Sequence, residues 1–312
     1  MDHEVTETVD TDGVGPGPRT LSVVGVGRAG SALAVALTAR GWKVAALSGR
    51  SREGLANMQA RLGARVAGSA SVAAAAARVT LLTVPDSQVT PVAAQIAASG
   101  RNLRGRVIAH TAASLGVDAL AALRQTGAAV GSLHPLQALA GADSAELLGG
   151  SFFLVDGDAE AQRALRALVE DLGGTTLEVA PQARPLYHAA AVLAGNAPLA
   201  LLERAAGLLV DAGVDPRVAH VALARLLEGA ARNARRSGPA SALTGPVVRG
   251  DAATIAAHLE ALAGDADARD LYVRLSREML DLEGVDGREA VAAALSAADA
   301  PPRPRIARAR VA

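Results

Sequence analysis

The chain has 312 residues, half of them hydrophobic, with 31 basic and 31 acidic side chains and a formal net charge of zero. That balance leaves no electrostatic footprint for nucleic acid or for an anionic membrane surface. The absence of cysteine excludes disulfides, thiol nucleophiles and cysteine-ligated metals, no metal site is expected, and the composition suits a reducing cytoplasm.

In chain order, residues 1–18 are acidic, interrupted by Gly and Pro, and read as a disordered tail. Met1-Asp2-His3-Glu4 lacks the apolar segment of a signal peptide, and no uninterrupted apolar run reaches membrane-spanning length. A first candidate strand, Leu21–Val24, runs into Gly25-x-Gly27-x-x-Gly30 and then into an alanine-rich helical pattern over Ser31–Ala39. Strand, glycine turn and helix in that order form a dinucleotide-binding fingerprint. Gly25 makes the tight turn, Gly27 lets backbone amides approach a pyrophosphate, and Gly30 allows close helix–strand packing. With Arg28 and Ala29 these glycines open a helix whose unpaired N–H groups and dipole favour phosphate.

Further candidate strands are Val44–Leu47, Val79–Val84, Val107–His110, Ala128–Leu133, Phe152–Val155 and Thr176–Val179. Helical stretches lie between them, among them Glu53–Leu62, Val72–Ala77 and Leu120–Gln125. Alternation of this kind predicts an α/β fold, a doubly wound, mainly parallel Rossmann sheet over residues 19–180. After Pro181 the strand signal stops. Leu186–Val210, Arg217–Arg235, Ala252–Ala263, Asp267–Glu283 and Arg288–Ala298 read as helices of an all-α domain over residues 181–298. Residues 299–312, mixing Arg and Pro, read as a second disordered tail.

The segment after the second strand selects the nucleotide. It reads Ser48-Gly49-Arg50-Ser51-Arg52, with no acid before Glu53. A carboxylate there would bind the ribose hydroxyl of NAD, whereas Arg and Ser bind a 2′-phosphate, so NADP(H) is expected on Ser48, Arg50 and Ser51. The third long strand ends at Pro85-Asp86, which should border the cofactor because ligands bind outside the carboxyl ends of such strands. The next strands end at His110 and His134, where a reacting carbonyl would lie near the nicotinamide. Histidine titrates near neutrality and can protonate an alkoxide.

In the helical domain, His188, Val192 and Asn196 recur at helical spacing and share one face. That face either pairs its polar groups with other helices or lines the cleft, with His188 as acid and Asn196 orienting substrate. The stretch Thr244-Gly245-Pro246 breaks a helix, Asp251 or Gly250 is placed to cap the next, and Arg249 in a glycine-flanked loop can hold a substrate carboxylate.

The glycine loop, S-L-H-P-L-Q at 132–137, Y-H-A-A-A-V at 187–192, and L-T-G-P-V-V-R-G-D at 243–251 followed by T-I-A-A-H-L at 254–259 together resemble a bacterial family of Rossmann-like proteins with a helical C-terminal domain of unknown function. The resemblance runs from Thr20 to about Glu283 and extends more distantly to pyrroline-5-carboxylate reductase, β-hydroxyacid dehydrogenases, prephenate dehydrogenase and ketopantoate reductase. It implies reduction of a small keto acid or imine by NADPH. It also implies a helical domain that packs on the cleft and mediates homodimerisation, and a carboxylate substrate. Family members are often encoded near pantothenate-biosynthesis genes, which makes 2-dehydropantoate the specific expectation.

Two departures stand out. The catalytic lysine of the β-hydroxyacid dehydrogenases and ketopantoate reductases has no counterpart, since the only lysine here is Lys43. His134-Pro135 instead matches the His-Pro of prephenate dehydrogenases. The H-T-S-G common in the family is His110-Thr111-Ala112-Ala113 here. Two alternatives therefore stay open: an NADP-dependent dehydrogenase of a hydroxy acid or prephenate-like substrate, and a non-catalytic NADP sensor or scaffold.

Overall fold

The computed structural model describes residues 17–282 and 288–297. Both expected tails fall largely outside the described residues. Two compact units divide between Asn196 and Ala197.

The first unit is an α/β domain on one sheet. Its strands are β1 (Thr20–Val24), β2 (Lys43–Ser48), β3 (Arg65–Val66), β4 (Val79–Leu82), β5 (Val107–His110), β6 (Ala129–Pro135), β7 (Phe152–Gly157) and β8 (Thr175–Leu177). They lie in the order β3-β2-β1-β4-β5-β6-β7-β8. All neighbours are parallel except β6 and β7, which pair antiparallel with Ser132 opposite Asp156 and His134 opposite Leu154. The chain order reverses between β1 and β4, the point at which a doubly wound sheet opens a crevice at its carboxyl edge.

The helices between strands are α1 (Arg28–Thr38), α2 (Arg52–Leu62), α3 (Ala70–Ala76), α4 (Asp86–Ala98), α5 (Ala121–Arg124) and α6 (Ala159–Asp171), followed by α7 (Arg184–Gly195). Strand residues alternate between two apolar layers. Leu21, Val23, Leu81, Ala109 and Leu133 face α1 and α6, while Val24, Leu82, Ile108 and Val130 face α3, α4 and α5. The second layer turns polar toward the carboxyl edge, where Val130 is followed on the same face by Ser132 and His134. With so few aromatics, the core is built of Leu, Val and Ala. Trp42, the only tryptophan in the chain, is buried at the foot of β2, and its indole Nε1 donates to Asp171 Oδ2 at 2.9 Å.

The second unit contains α8 (Ala197–Asp211), α9 (Pro216–Ala242), α10 (Ala252–Ala261), α11 (Ala266–Leu280) and α12 (Arg288–Ser296). Asp215 caps α9 by accepting from the amides of Arg217 and Val218, with Pro216 in the first turn. α9 is interrupted at Gly238, whose φ of 81° precedes Pro239. Val247, Ile255, Leu259, Val273, Leu280, Val291 and Leu295 form a small core among the C-terminal helices. By contrast α8 buries only Ala206 and α9 only Ala219, leaving Leu199, Val218, Val221 and Leu226 exposed.

One expectation from sequence shifts here. The long helix expected over 186–210 ends at Gly195 and resumes at Ala197. The two compact units divide at the same place, and Arg184 at the start of α7 bonds to the sheet domain. Pro181–Asp211 taken together is long and apolar enough, by length and composition alone, to pass as a membrane-spanning stretch.

Candidate active site

The glycine turn sits at the point of strand-order reversal, between the carboxyl ends of β1 and β4. Gly25 adopts φ +106° and its amide donates to the Ser48 carbonyl at 2.7 Å, tying the ends of β1 and β2 together. A Cβ on Gly25 would stand 2.8 Å from the backbone carbon and oxygen of Thr83, so the loop after β4 closes directly over the turn. Thr83 Oγ1 donates to the Gly25 carbonyl and lies 3.3 Å from the Val24 carbonyl oxygen. Gly30 packs into the same contact. Gly27 is different: a Cβ there would meet nothing within 4 Å. Intramolecular sterics therefore give no reason for glycine at 27, whereas close approach by a ligand does.

Gly27 is also the N-cap of α1, with no side-chain cap and no acidic residue in the first turn. The amides of Arg28, Ala29 and Gly30 open a helix end suited to an anion. Arg28 and Arg50 are exposed, and neither they nor Arg52 make an ion pair or side-chain hydrogen bond among the described residues. Ser51 is occupied as the N-cap of α2, its Oγ accepting from Gly54 N at 3.0 Å. Ser48 is buried and contributes its carbonyl to the turn. Pro85 is the N-cap of α4, and Asp86 opens that helix while accepting from Ser114 Oγ at 2.7 Å. The residues present thus fit a dinucleotide phosphate. Exposed guanidinium groups stand at the start of α1 (Arg28) and on the loop after β2 (Arg50).

Further along the same carboxyl edge, the ends of β5 and β6 carry the two expected histidines, with different fates. His110 is fully buried, with Nε2 3.2 Å from the Gly116 carbonyl and Nδ1 without a partner among the described residues. Burial holds its pKa below the ordinary histidine value. It is a packed residue of the layer and not a surface acid. His134 stands one rung further out. Its Nδ1 is 2.8 Å from the Tyr187 hydroxyl, and the two rings meet edge to face at 87°.

Burial, reinforced by the neighbouring His188, pushes His134 down to about 4, and burial pushes the Tyr187 phenol up to about 12. At neutral pH both are therefore uncharged. The pair shares one proton position between them, so that either the phenol O–H or the imidazole N–H is left to donate outward.

Tyr187 is the residue that sequence reasoning missed. It stood beside the more conspicuous His188, and only the fold brings the start of α7 to β6. A second pair, His258 Nδ1 to Tyr272 hydroxyl at 2.9 Å, joins α10 to α11 in the other unit. The pairing alone is thus a packing device. What distinguishes His134 and Tyr187 is their position at the carboxyl edge of the sheet, the edge that also carries the glycine loop, with β4 and β5 between.

His188 is exposed on the first turn of α7, Val192 is exposed on the same helix, and Asn196 is the exposed C-cap of α7. The expected stripe exists but is not a buried one. Arg249 belongs to the second unit, in the turn after Pro246, exposed and near Asp251. Asp251 caps α10 through the Thr254 amide at 3.0 Å and its hydroxyl at 2.7 Å, and these bonds lower its pKa. Among the described residues no cluster of His, Asp or Glu could hold a metal.

Comparison with known proteins agrees with this architecture. Residues 6–135 match the model of a Rossmann-like domain, and residues 151–279 match a domain of unknown function, DUF2520. No curated protein matches the chain. Among solved structures, a candidate NADP oxidoreductase from Bacteroides fragilis superposes with a TM-score of 0.68 at 22% identity, over 84% of this chain and 97% of that one. An imine reductase from Pseudomonas sp. gives 0.56 at 22% identity, over 92% and 100%. The NADP-bound pyrroline carboxylate reductase of Plasmodium falciparum gives 0.57 at 14% identity, over 91% and 98%. At such identities the likeness is one of fold.

Proposed function

We propose, from a chain built of a Rossmann-like domain followed by the DUF2520 domain, an NADPH-dependent reductase of a small imine or keto acid. The observation that carries this reading is that one carboxyl edge of the sheet carries both an open glycine turn at the strand-order reversal and, two strands beyond β4, an uncharged His–Tyr pair at the end of β6. The named activities of structurally similar proteins, imine reduction and pyrroline carboxylate reduction, lend it support. NADPH, when bound, supplies the hydride.

The chain's own residues supply the rest. The α1 amides and Gly27 seat the pyrophosphate. Arg50 and Arg52 face the 2′-phosphate, where a bidentate guanidinium distinguishes NADPH from NADH, and Arg28 borders the cofactor at the start of α1. The Tyr187–His134 pair donates a proton to the nitrogen or oxygen of the reduced double bond, with His188 on the same helical turn as the group that resupplies it. Asn196 orients substrate. The homodimer expected from the family rests on the apolar faces of α8 and α9. We place the chain in the cytoplasm, free of membrane and nucleic acid. Within the keto-acid class, 2-dehydropantoate is the first substrate to test.

One observation favours a second reading. The only lysine, Lys43, is exposed at the amino end of β2, away from the carboxyl edge that carries the site. No lysine can serve as the acid, and an NADP sensor needs none. Purified protein mixed with NADPH and a panel of cyclic imines and 2-keto acids separates the two. Substrate-dependent loss of NADPH absorbance is the expected result. Tight NADPH binding without turnover of any compound would establish the sensor instead.

A further inference from the structure

Arg184 is the one residue of α7 that is buried. Its guanidinium reaches three successive segments of the sheet domain. Nη1 donates to the Leu115 carbonyl beyond β5, and Nη2 donates to Ser132 Oγ on β6 and to Asp156 Oδ2 on β7, each at 2.9 Å. Ser132 and Asp156 are register partners across the antiparallel β6–β7 pair, so one fork grips both strands at a single rung.

The helix and the strand then run in step. Arg184, Tyr187 and His188 lie at i, i+3 and i+4, on one side of the first turn of α7. Ser132 and His134 lie at i and i+2, on one face of β6. Arg184 meets Ser132 while Tyr187 meets His134. Three helical residues rise about 4.5 Å and two strand residues about 6.6 Å, so the two contacts form adjacent rungs between the same elements.

Among the described residues of the first unit, nothing else fixes that alignment by burial. Leu186 and Leu193 are 74% and 71% exposed, so no apolar face of α7 is packed on the sheet. Nor is the ion pair suited to stabilising the fold. Arg184 Nε is buried without a partner among the described residues, and a buried pair of this kind stabilises no more than apolar side chains of similar volume. An apolar residue could fill the space but could not select a rung. A planar fork with fixed donor directions can.

We propose that Arg184 is the positioning residue of the site. By clamping the first turn of α7 to β6 and β7 it sets Tyr187 against His134, and it touches neither cofactor nor substrate. The geometry carries this inference by itself. Its kinetic consequence rests on the reductase reading.

The test compares Arg184→Lys, Arg184→Met and Ser132→Ala with the wild-type protein, following the His134 imidazole through a pH titration by NMR. The charged and titratable groups that bear on His134 are Tyr187, His188, Asp86, Arg184 and His110. Lysine preserves the positive charge and loses the fork, so a change in R184K reads geometry and not electrostatics. The expected result is that His134 in R184K climbs from about 4 toward the ordinary histidine range and loses its hydrogen bond to Tyr187. NADPH affinity should be unchanged, and kcat should fall by about tenfold or more. S132A, which removes one of the three bonds, should shift His134 in the same direction by less.

Wild-type titration of His134 in folded R184K and S132A would overturn the proposal, even if their melting temperatures fall, because it would leave Arg184 only a stabilising role. Should R184M fail to fold, R184K and S132A decide the matter. If the wild-type protein turns over no substrate, the reductase reading falls while the titration still decides the positioning inference.

Discussion

Gly30 and Thr83 lie so close that a methyl group on the glycine would sit inside van der Waals contact with Thr83 Oγ1 and with the Gly25 carbonyl oxygen. The two loops that meet at the strand-order reversal are therefore interlocked. Thr83 holds the turn from one side and the absence of a side chain at 30 permits it. Gly30→Ala should force the loops apart and abolish NADPH binding in a fluorescence titration. Thr83→Val, which keeps the shape and loses the hydroxyl, should remove a hydrogen bond of about 0.5–1.5 kcal/mol and weaken NADPH by about two- to twelvefold. Wild-type affinity in T83V would show that the hydroxyl does not support the loop.

Arg50→Ala combined with Arg52→Ala should separate the two nicotinamide cofactors. Charge-assisted hydrogen bonds to a phosphate are worth about 1.5–3 kcal/mol, so NADPH affinity should fall by about ten- to a hundredfold. Affinity for NADH, which has no phosphate there, should hold. Equal losses for both cofactors would remove these residues from the 2′-phosphate site.

Tyr187→Phe deletes the hydroxyl that meets His134 and little else. If the pair delivers the proton, kcat should drop by about 10²–10⁴ while NADPH binding stays as in the wild type. A variant with normal kcat would place proton delivery elsewhere, with His188 the next residue to replace.

Acid stability gives an independent view of His134. Burial lowers its pKa from 6.5 to about 4 in the folded chain. As the pH falls below about 6.5 the unfolded chain takes up this proton first, so stability declines until about pH 4 and then levels off. A shift of that size corresponds to about 3 kcal/mol across the window. Urea unfolding of the wild type and His134→Gln at several pH values from 7 to 4 isolates the effect, because other titrations cancel in the difference. Parallel curves would mean that His134 is far more accessible than its surroundings in the fold imply.

Much of the nucleotide half was legible from sequence because its signals are local. The Gly25–Gly30 turn, the strands on either side and the lack of an acid before Glu53 are contiguous patterns. β3 was missed because Arg65–Val66 is two exposed residues at an edge, with no apolar alternation to read. The limits of the site were not local. His110 and His134 look alike in sequence, each closing an apolar strand, and only depth in the second apolar layer separates a packed imidazole from one that meets Tyr187. Arg184 reads as an ordinary charge at a helix start until Ser132 and Asp156 are seen to face it across two strands. The end of the strand signal at 180 is a local cue, whereas the bonds of Arg184 to Ser132 and Asp156 are not.

The lone indole of Trp42, sealed at the foot of β2 with its N–H on Asp171, has a practical consequence. Tryptophan emission can report the melting of the sheet domain alone. The helices beyond Ala197 contain no tryptophan and are silent in that channel. Circular dichroism at helical wavelengths, by contrast, sees both halves. Disagreement between the two optical transitions would therefore measure directly whether the halves unfold together or one after the other.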